Sequence, residues 1–213
     1  MRQAFFVVIL LFCFHKLFSQ DTPSYSKFSL VTRPLAWVDP VNQSFSVGLQ
    51  YRVSQKCIVE LQPGIIHSAY QNLIVDSFNV HYAGFRGSAE AMFFIEESPY
   101  YVSCEYLYKN FTRSKDEWML RMGSTYQQKF RVDKYYRVNS YRFKAGVTTN
   151  RNGSRVHLDL AAGIGLRTKN VSFSPLPEDA EFLEQSNFEN ETVAGRSFVP
   201  ELFFTISMVY KFR

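Results

Sequence analysis

From Leu202 to Phe212 every even position is apolar (Leu202, Phe204, Ile206, Met208, Tyr210, Phe212), while the odd positions include Thr205, Ser207 and Lys211. Side chains alternate between the two faces of a strand, so this stretch predicts a strand with one apolar face and one mixed face. The segment FSVGLQYRV at 45–53 repeats the pattern, with Phe45, Val47, Leu49, Tyr51 and Val53 against Ser46, Gly48, Gln50 and Arg52. Reading the chain for period 2 between turn residues predicts eight strands: roughly 27–38 (interrupted by Pro34), 45–53, 57–66, 81–95, 100–111, 138–147, 155–167 and the terminal stretch.

The connections between these strands are unequal. Those after the second, fourth and sixth are tight, SQK at 54–56, EESP at 96–99 and TNRNGS at 149–154, the last containing the hairpin signal Asn152-Gly153. Those after the third, fifth and seventh are long and polar, around 67–80, 112–137 and 168–197, while DPVNQS at 39–44 is short. Long connections at one end and tight turns at the other are what an outer-membrane barrel shows, with short periplasmic turns and longer outside loops. The part around 113–138 is mixed in charge and rich in Tyr, which fits a protruding hairpin; PLPEDAEFLEQSNFENET in the last connection is carboxylate-rich without a basic residue.

Charge decides which face meets oil. The polar faces carry Arg52, Glu60 with Gln62, Arg86 with Ser88 and Glu90, Glu105 with Lys109, Arg142 with Lys144, and His157, Asp159 and Arg167; the opposite faces are essentially uncharged at mid-strand. Arg or Lys on the lipid face at the bilayer midplane costs about 2–4 kcal/mol, so in a membrane the charged faces turn inward. The expected lumen network is Arg52, Glu60, Arg86, Glu90, Glu105, Arg142, Lys144, Asp159 and Arg167, and the even positions of 202–212 are expected to touch lipid. Mixed signs on the polar faces suit a closed interior where charges pair, and Trp37, Tyr51, Tyr100, Tyr101, Tyr210 and Phe212 fall near strand ends, where aromatic girdles lie. The alternative is a soluble periplasmic, lipocalin-like barrel with the apolar faces inside and a small apolar ligand.

At 213 residues the chain is expected to hold one domain, and 17% aromatics is high. Residues 1–19, with Arg2, an apolar run from Ala4 to Phe14 and a polar exit at Ser19, have the plan of a cleaved signal peptide, leaving 20–213 as the barrel domain. Eleven apolar residues are too few for the roughly 20 of a helical span. The mature chain would have 22 Lys plus Arg against 19 Asp plus Glu, a net of +3 that gives no argument for a nucleic-acid partner. Cys57 and Cys104 fall on the third and fifth strands, roughly 10 Å apart across one intervening strand, beyond the reach of about 7 Å that a disulfide allows.

With these residues in view, the terminal strand resembles the assembly signal of bacterial outer-membrane proteins, although Phe212 is followed by Arg213. The chain from 27 to 213 looks like the small OmpA/OmpX-like and PorT-like barrels, and PLAWVDPVNQSFSVGLQYR at 34–52 is similar to the opening hairpin of small barrel families of Gram-negative bacteria. The resemblance implies an all-β, eight-stranded antiparallel up-and-down transmembrane β-barrel in the outer membrane. Its implied partners are outer-membrane lipid and, through the terminal strand, the barrel-assembly machinery, with a structural, binding or export-accessory role. Eight strands enclose a space that side chains just fill, so a plugged lumen and no general pore are expected. Some similar barrels are lipid A deacylases, acyltransferases or proteases with rim sites of His, Ser and a carboxylate. The candidates here are His67, Ser68, Asp76 and His81, and adjacent His67-Ser68 does not match the deacylase His-x-Ser. The balance therefore falls against an enzyme, with a lipid-modifying hydrolase as a second alternative, and neither a metal nor a nucleotide cofactor is implied.

Overall fold

The computed structural model describes residues 27–37, 44–67, 80–95, 98–121, 126–149, 155–175, 180–182 and 195–212. The fold is all-β: β1 (Phe28–Thr32), a 3-10 turn (Pro34–Trp37), β2 (Ser44–Arg52), β3 (Cys57–His67), β4 (Val80–Phe94), β5 (Tyr100–Arg121), β6 (Gln127–Thr148), β7 (Val156–Phe173), β8 (Ala180–Phe182) and β9 (Gly195–Lys211). Every pairing is antiparallel, and each long strand lies beside its neighbours in sequence; β4 pairs with β5 and β1 with β9. Eight strands thus form a closed, barrel-like ring. β8 stands outside it, pairing Ala180–Phe182 with Arg121–Met119 on the edge of β5 that β4 does not reach, since the β4 register ends at Val80↔Lys115.

The alternation in the sequence becomes an inversion of burial. In β2, Ser44, Ser46 and Gln50 are buried while Phe45, Leu49 and Tyr51 are exposed. In β9 the even-numbered Leu202 is 85% exposed, with Phe204, Met208, Tyr210 and Phe212 also exposed and Ile206 half-buried. Phe143 and Ile164 are exposed on the outer wall as well, and Glu60, Glu90, Glu105, Lys144 and Asp159 are buried inside. Two small apolar clusters share the interior with the charges. Ile66, Phe111, Tyr136, Val138 and Val171 gather toward the long-connection end, and Met92, Tyr101 and Ala161 toward the tight turns. The outer wall is thus largely apolar, and the interior holds charged and polar side chains together with apolar ones.

Several boundaries differ from the sequence expectation. β1 stops at Thr32, because Pro34 opens the 3-10 turn and has no N–H to give a ladder. β5 and β6 stay paired as far as Leu120↔Gln127, so most of the expected loop at 112–137 is a projecting two-stranded hairpin. β7 extends to Phe173, and β9 starts at Gly195, whose φ of 142° is a conformation that side-chain-bearing residues rarely adopt. Tyr101, expected near an interface, is buried inside against Phe94. Neither Cys57 nor Cys104 forms a disulfide; the first is buried and the second exposed. The seam between β1 and β9 is short, with four register pairs from Ser29↔Lys211 to Thr32↔Met208. The segment 1–19, Asn152-Gly153 and the side chain of Trp37 lie outside the described residues.

Candidate functional site

The most organised chemistry in the molecule is a buried charge cluster, and the strand register creates it. Gln50↔Glu60, Glu60↔Glu90, Glu90↔Glu105, Glu105↔Arg142, Arg142↔Gly165 and Gly165↔Glu201 are successive Cα partners, so one row of the ring sets three glutamates side by side on β3, β4 and β5. Like charges directly opposite one another repel, and inside a closed wall water screens them poorly. The row needs cations between its members.

Arg33, immediately after β1, supplies the central one. Its Nη2 donates to Glu60 Oε1 and Glu90 Oε2, each at 2.9 Å, and its Nη1 donates to Glu105. A guanidinium can do this because its donors fan out in a plane, whereas an ammonium is a compact point charge. Lys144 Nζ reaches Glu90 and, at 3.1 Å, Glu105. Arg142 lies 3.4 Å from Glu105 and donates from Nε to Glu201 at 2.6 Å, with its guanidinium 4.7 Å from the centre of the Phe203 ring. Neutral donors complete the shell: Gln50 Nε2 to Glu60 at 2.9 Å, Ser103 Oγ to Glu90 at 2.6 Å, and Ser140 Oγ to Glu201. Four carboxylates therefore share Arg33, Arg142 and Lys144, and most of their oxygens are spoken for.

Of the nine residues expected inside, Glu60, Glu90, Glu105, Arg142 and Lys144 meet in this cluster. Arg86 is buried nearby and donates to Ser44 Oγ at 3.0 Å. Asp159 is buried at the tight-turn end, its Oδ1 3.7 Å from His157 Nε2. Arg52 is only half-buried and faces the same end, and Arg167, with its side chain 40% exposed, stands 3.9 Å from Glu201 at the margin. Sequence reasoning missed Arg33 and Glu201. Glu201 is readable by extending the odd-position face of the last strand back by one residue; Arg33 is signalled only indirectly, by three glutamates with too few cations beside them.

A cavity of about 20 Å³, room for a water molecule, lies at the tight-turn end among Lys27, Gln50, Arg52, Thr148, His157, Asp159 and Lys211. His67 and His81 sit on the outer face of adjacent strands, paired in register with Ala83 and Ser114; Ser68 and Asp76 lie outside the described residues. The structure thus assembles no nucleophile and base from these candidates among the described residues, and no His, Cys, Asp and Glu group there could hold a metal ion. Comparison with protein-family models finds no matching family, and comparison with curated proteins and with solved structures likewise finds no match.

Proposed function

We propose that the protein is a small integral outer-membrane β-barrel, exported by residues 1–19, whose lumen is closed by its own side chains and whose role is structural or accessory. The observation that carries the reading is the inverted burial: Leu202, Ile164 and Phe143 exposed on the outer wall, Arg33, Glu60, Glu90 and Glu105 buried within. In water that arrangement exposes a continuous apolar belt far beyond the patch size of ordinary monomers. In hydrocarbon it is the stable one, because a closed ring satisfies backbone polar groups without solvent.

Dimensions agree with a bilayer. On β7 the outward residues Val156, Leu158, Ala162, Ile164 and Leu166 are exposed and Leu160 is half-buried. Ten residue steps at about 3.3 Å, tilted by about 40°, rise roughly 25 Å, the height of an outer-membrane apolar band. Ring closure by the terminal strand also fits insertion by barrel-assembly machinery. A lipocalin-like carrier would require apolar side chains around an internal ligand space, whereas the middle of the interior here is occupied by paired charges, with small apolar clusters toward either end.

The test is expression of the full chain in a Gram-negative host, isolation of outer membranes, and comparison of gel mobility in detergent before and after boiling. A faster unboiled band in that fraction is expected. Recovery as a soluble periplasmic protein without a mobility shift would refute the lipid-facing assignment.

A further inference from the structure

One row on the outside of the ring departs from both the belt and the buried cluster. Asn110↔Arg137, Arg137↔Asn170 and Asn170↔Arg196 are register partners, so β6, β7 and β9 present Arg137, Asn170 and Arg196 in line on the outer face. All three are exposed. They stand toward the long-connection end, one outward row beyond Thr168 and Phe198 and two beyond Leu166, where the apolar belt stops. With neighbouring strands about 4.8 Å apart, the two arginine backbones are roughly 10 Å apart, so their side chains can converge on one group above Asn170.

Among the described residues, charge in the rows next to these arginines is one-sided, the nearest carboxylate on the same face being Asp133, two rows farther out on β6. The rows above and below present Thr112, Tyr135 and Ser172, and Tyr108, Asn139, Thr168 and Phe198, without a carboxylate. The Arg196 guanidinium lies 4.9 Å from the centre of the Phe198 ring, which holds it at the margin of the belt. No carboxylate pairs with Arg137 or Arg196 among the described residues, whereas Asp116, farther out on β5, is already within 3.5 Å of Lys129. Two planar guanidinium forks beside an amide, without a carboxylate partner among the described residues, one outward row above exposed Phe198 and two and three rows above exposed Leu166 and Ile164, match an anionic phosphate with hydrocarbon attached.

We infer that Arg137, Asn170 and Arg196 form a docking site for the phosphorylated headgroup of a lipid whose acyl chains lie against the belt below, at the long-connection end of the barrel. The inference rests on the lipid-facing reading of that belt. A free phosphate would meet two exposed arginines in full solvent, while a lipid phosphate is delivered to their level by its own chains, so the lipid is the occupant the geometry favours.

The test uses the full mature protein folded into phosphatidylcholine vesicles with and without lipid A, a diphosphorylated glycolipid, with retained lipid measured by mass spectrometry of the detergent-extracted complex. The wild type is expected to retain lipid A in preference to phosphatidylcholine. Arg137→Gln/Arg196→Gln should lower that retention about tenfold or more while keeping the folded gel mobility, because each lost guanidinium removes a charge-assisted contact. Arg155→Gln, the loss of one positive charge at the opposite end, should leave retention unchanged. Equal retention of lipid A by wild type and double variant, loss equal to that from Arg155→Gln, or suppression by millimolar inorganic phosphate alone would overturn the site. A wild type that inserts into the vesicles but shows no preference overturns the site and leaves the membrane reading standing; one that does not insert overturns both.

Discussion

Replacing Arg33 with Met tests whether the interior is held by charge pairing or simply filled. Met retains most of the volume and removes a guanidinium whose side chain is 5% exposed and which bonds Glu60, Glu90 and Glu105. The three carboxylates do not lose equally. Glu90 keeps Lys144, and Glu105 keeps Lys144 at 3.1 Å and Arg142 at 3.4 Å. Glu60 keeps Gln50 at 2.9 Å and no cation within salt-bridge distance among the described residues, so the cost concentrates there. Removing one partner of a buried ion pair costs about 3–5 kcal/mol. With a urea slope of about 2 kcal/mol/M, the unfolding midpoint of the vesicle-inserted protein should fall by about 1.5–2.5 M. Arg33→Met/Glu60→Gln should recover about half of that, because the stranded charge is gone and the amide still fits the site. Unfolding is followed by the loss of the faster-running band in unboiled gel samples. A loss below about 1 kcal/mol, or a double variant no more stable than the single one, would refute the pairing argument.

Other consequences are read by simpler assays. Phe204→Arg places a charge on an exposed β9 position level with Ala162, near the middle of the apolar band, and should cost about 2–4 kcal/mol in vesicles, measured by the same urea titration; a neutral result would speak against lipid contact there. Gly163→Ala would bring a Cβ to 2.0 Å from the backbone oxygen of Phe143, so β6 and β7 must shift, and the urea midpoint should report a loss of about 1–3 kcal/mol. Cys104 stands on the outer wall beside Phe143 and Cys57 is buried, so a water-soluble maleimide should label neither in the vesicle-inserted protein and both after denaturation, with gel mobility indifferent to reductant; labelling of Cys104 in vesicles would speak against lipid contact there.

What the sequence made legible was whatever alternates. The terminal strand, β2 and the paired-charge faces of β3 to β7 could be read because every second residue repeats one environment. The hairpin beyond the ring was legible only through its mixed charge and its tyrosines, and its strand bounds were not, because Arg113, Ser114, Lys115 and Asp116 put polar groups on both faces. β8, three residues without a readable period, depends on the free edge of β5. Arg33 escaped because its partners lie 27, 57 and 72 residues away and its own segment is broken by Pro34. The outer row of Arg137, Asn170 and Arg196 is likewise a product of register across three strands, invisible within any one of them.

The short seam gives ring closure a built-in checksum. β7 and β9 share sixteen register pairs and β1 and β9 only four, so the joint that completes the ring is also the one with the least backbone to define it. The residue after that joint is Arg33. Slipping a strand by one residue turns its side chains to the opposite face. A misaligned seam would therefore swing the guanidinium out of the ring and leave Glu60, Glu90 and Glu105 confronting one another. Only the correct alignment both zips the wall and neutralises the interior, so four backbone pairs are policed by three carboxylates on strands that never touch them.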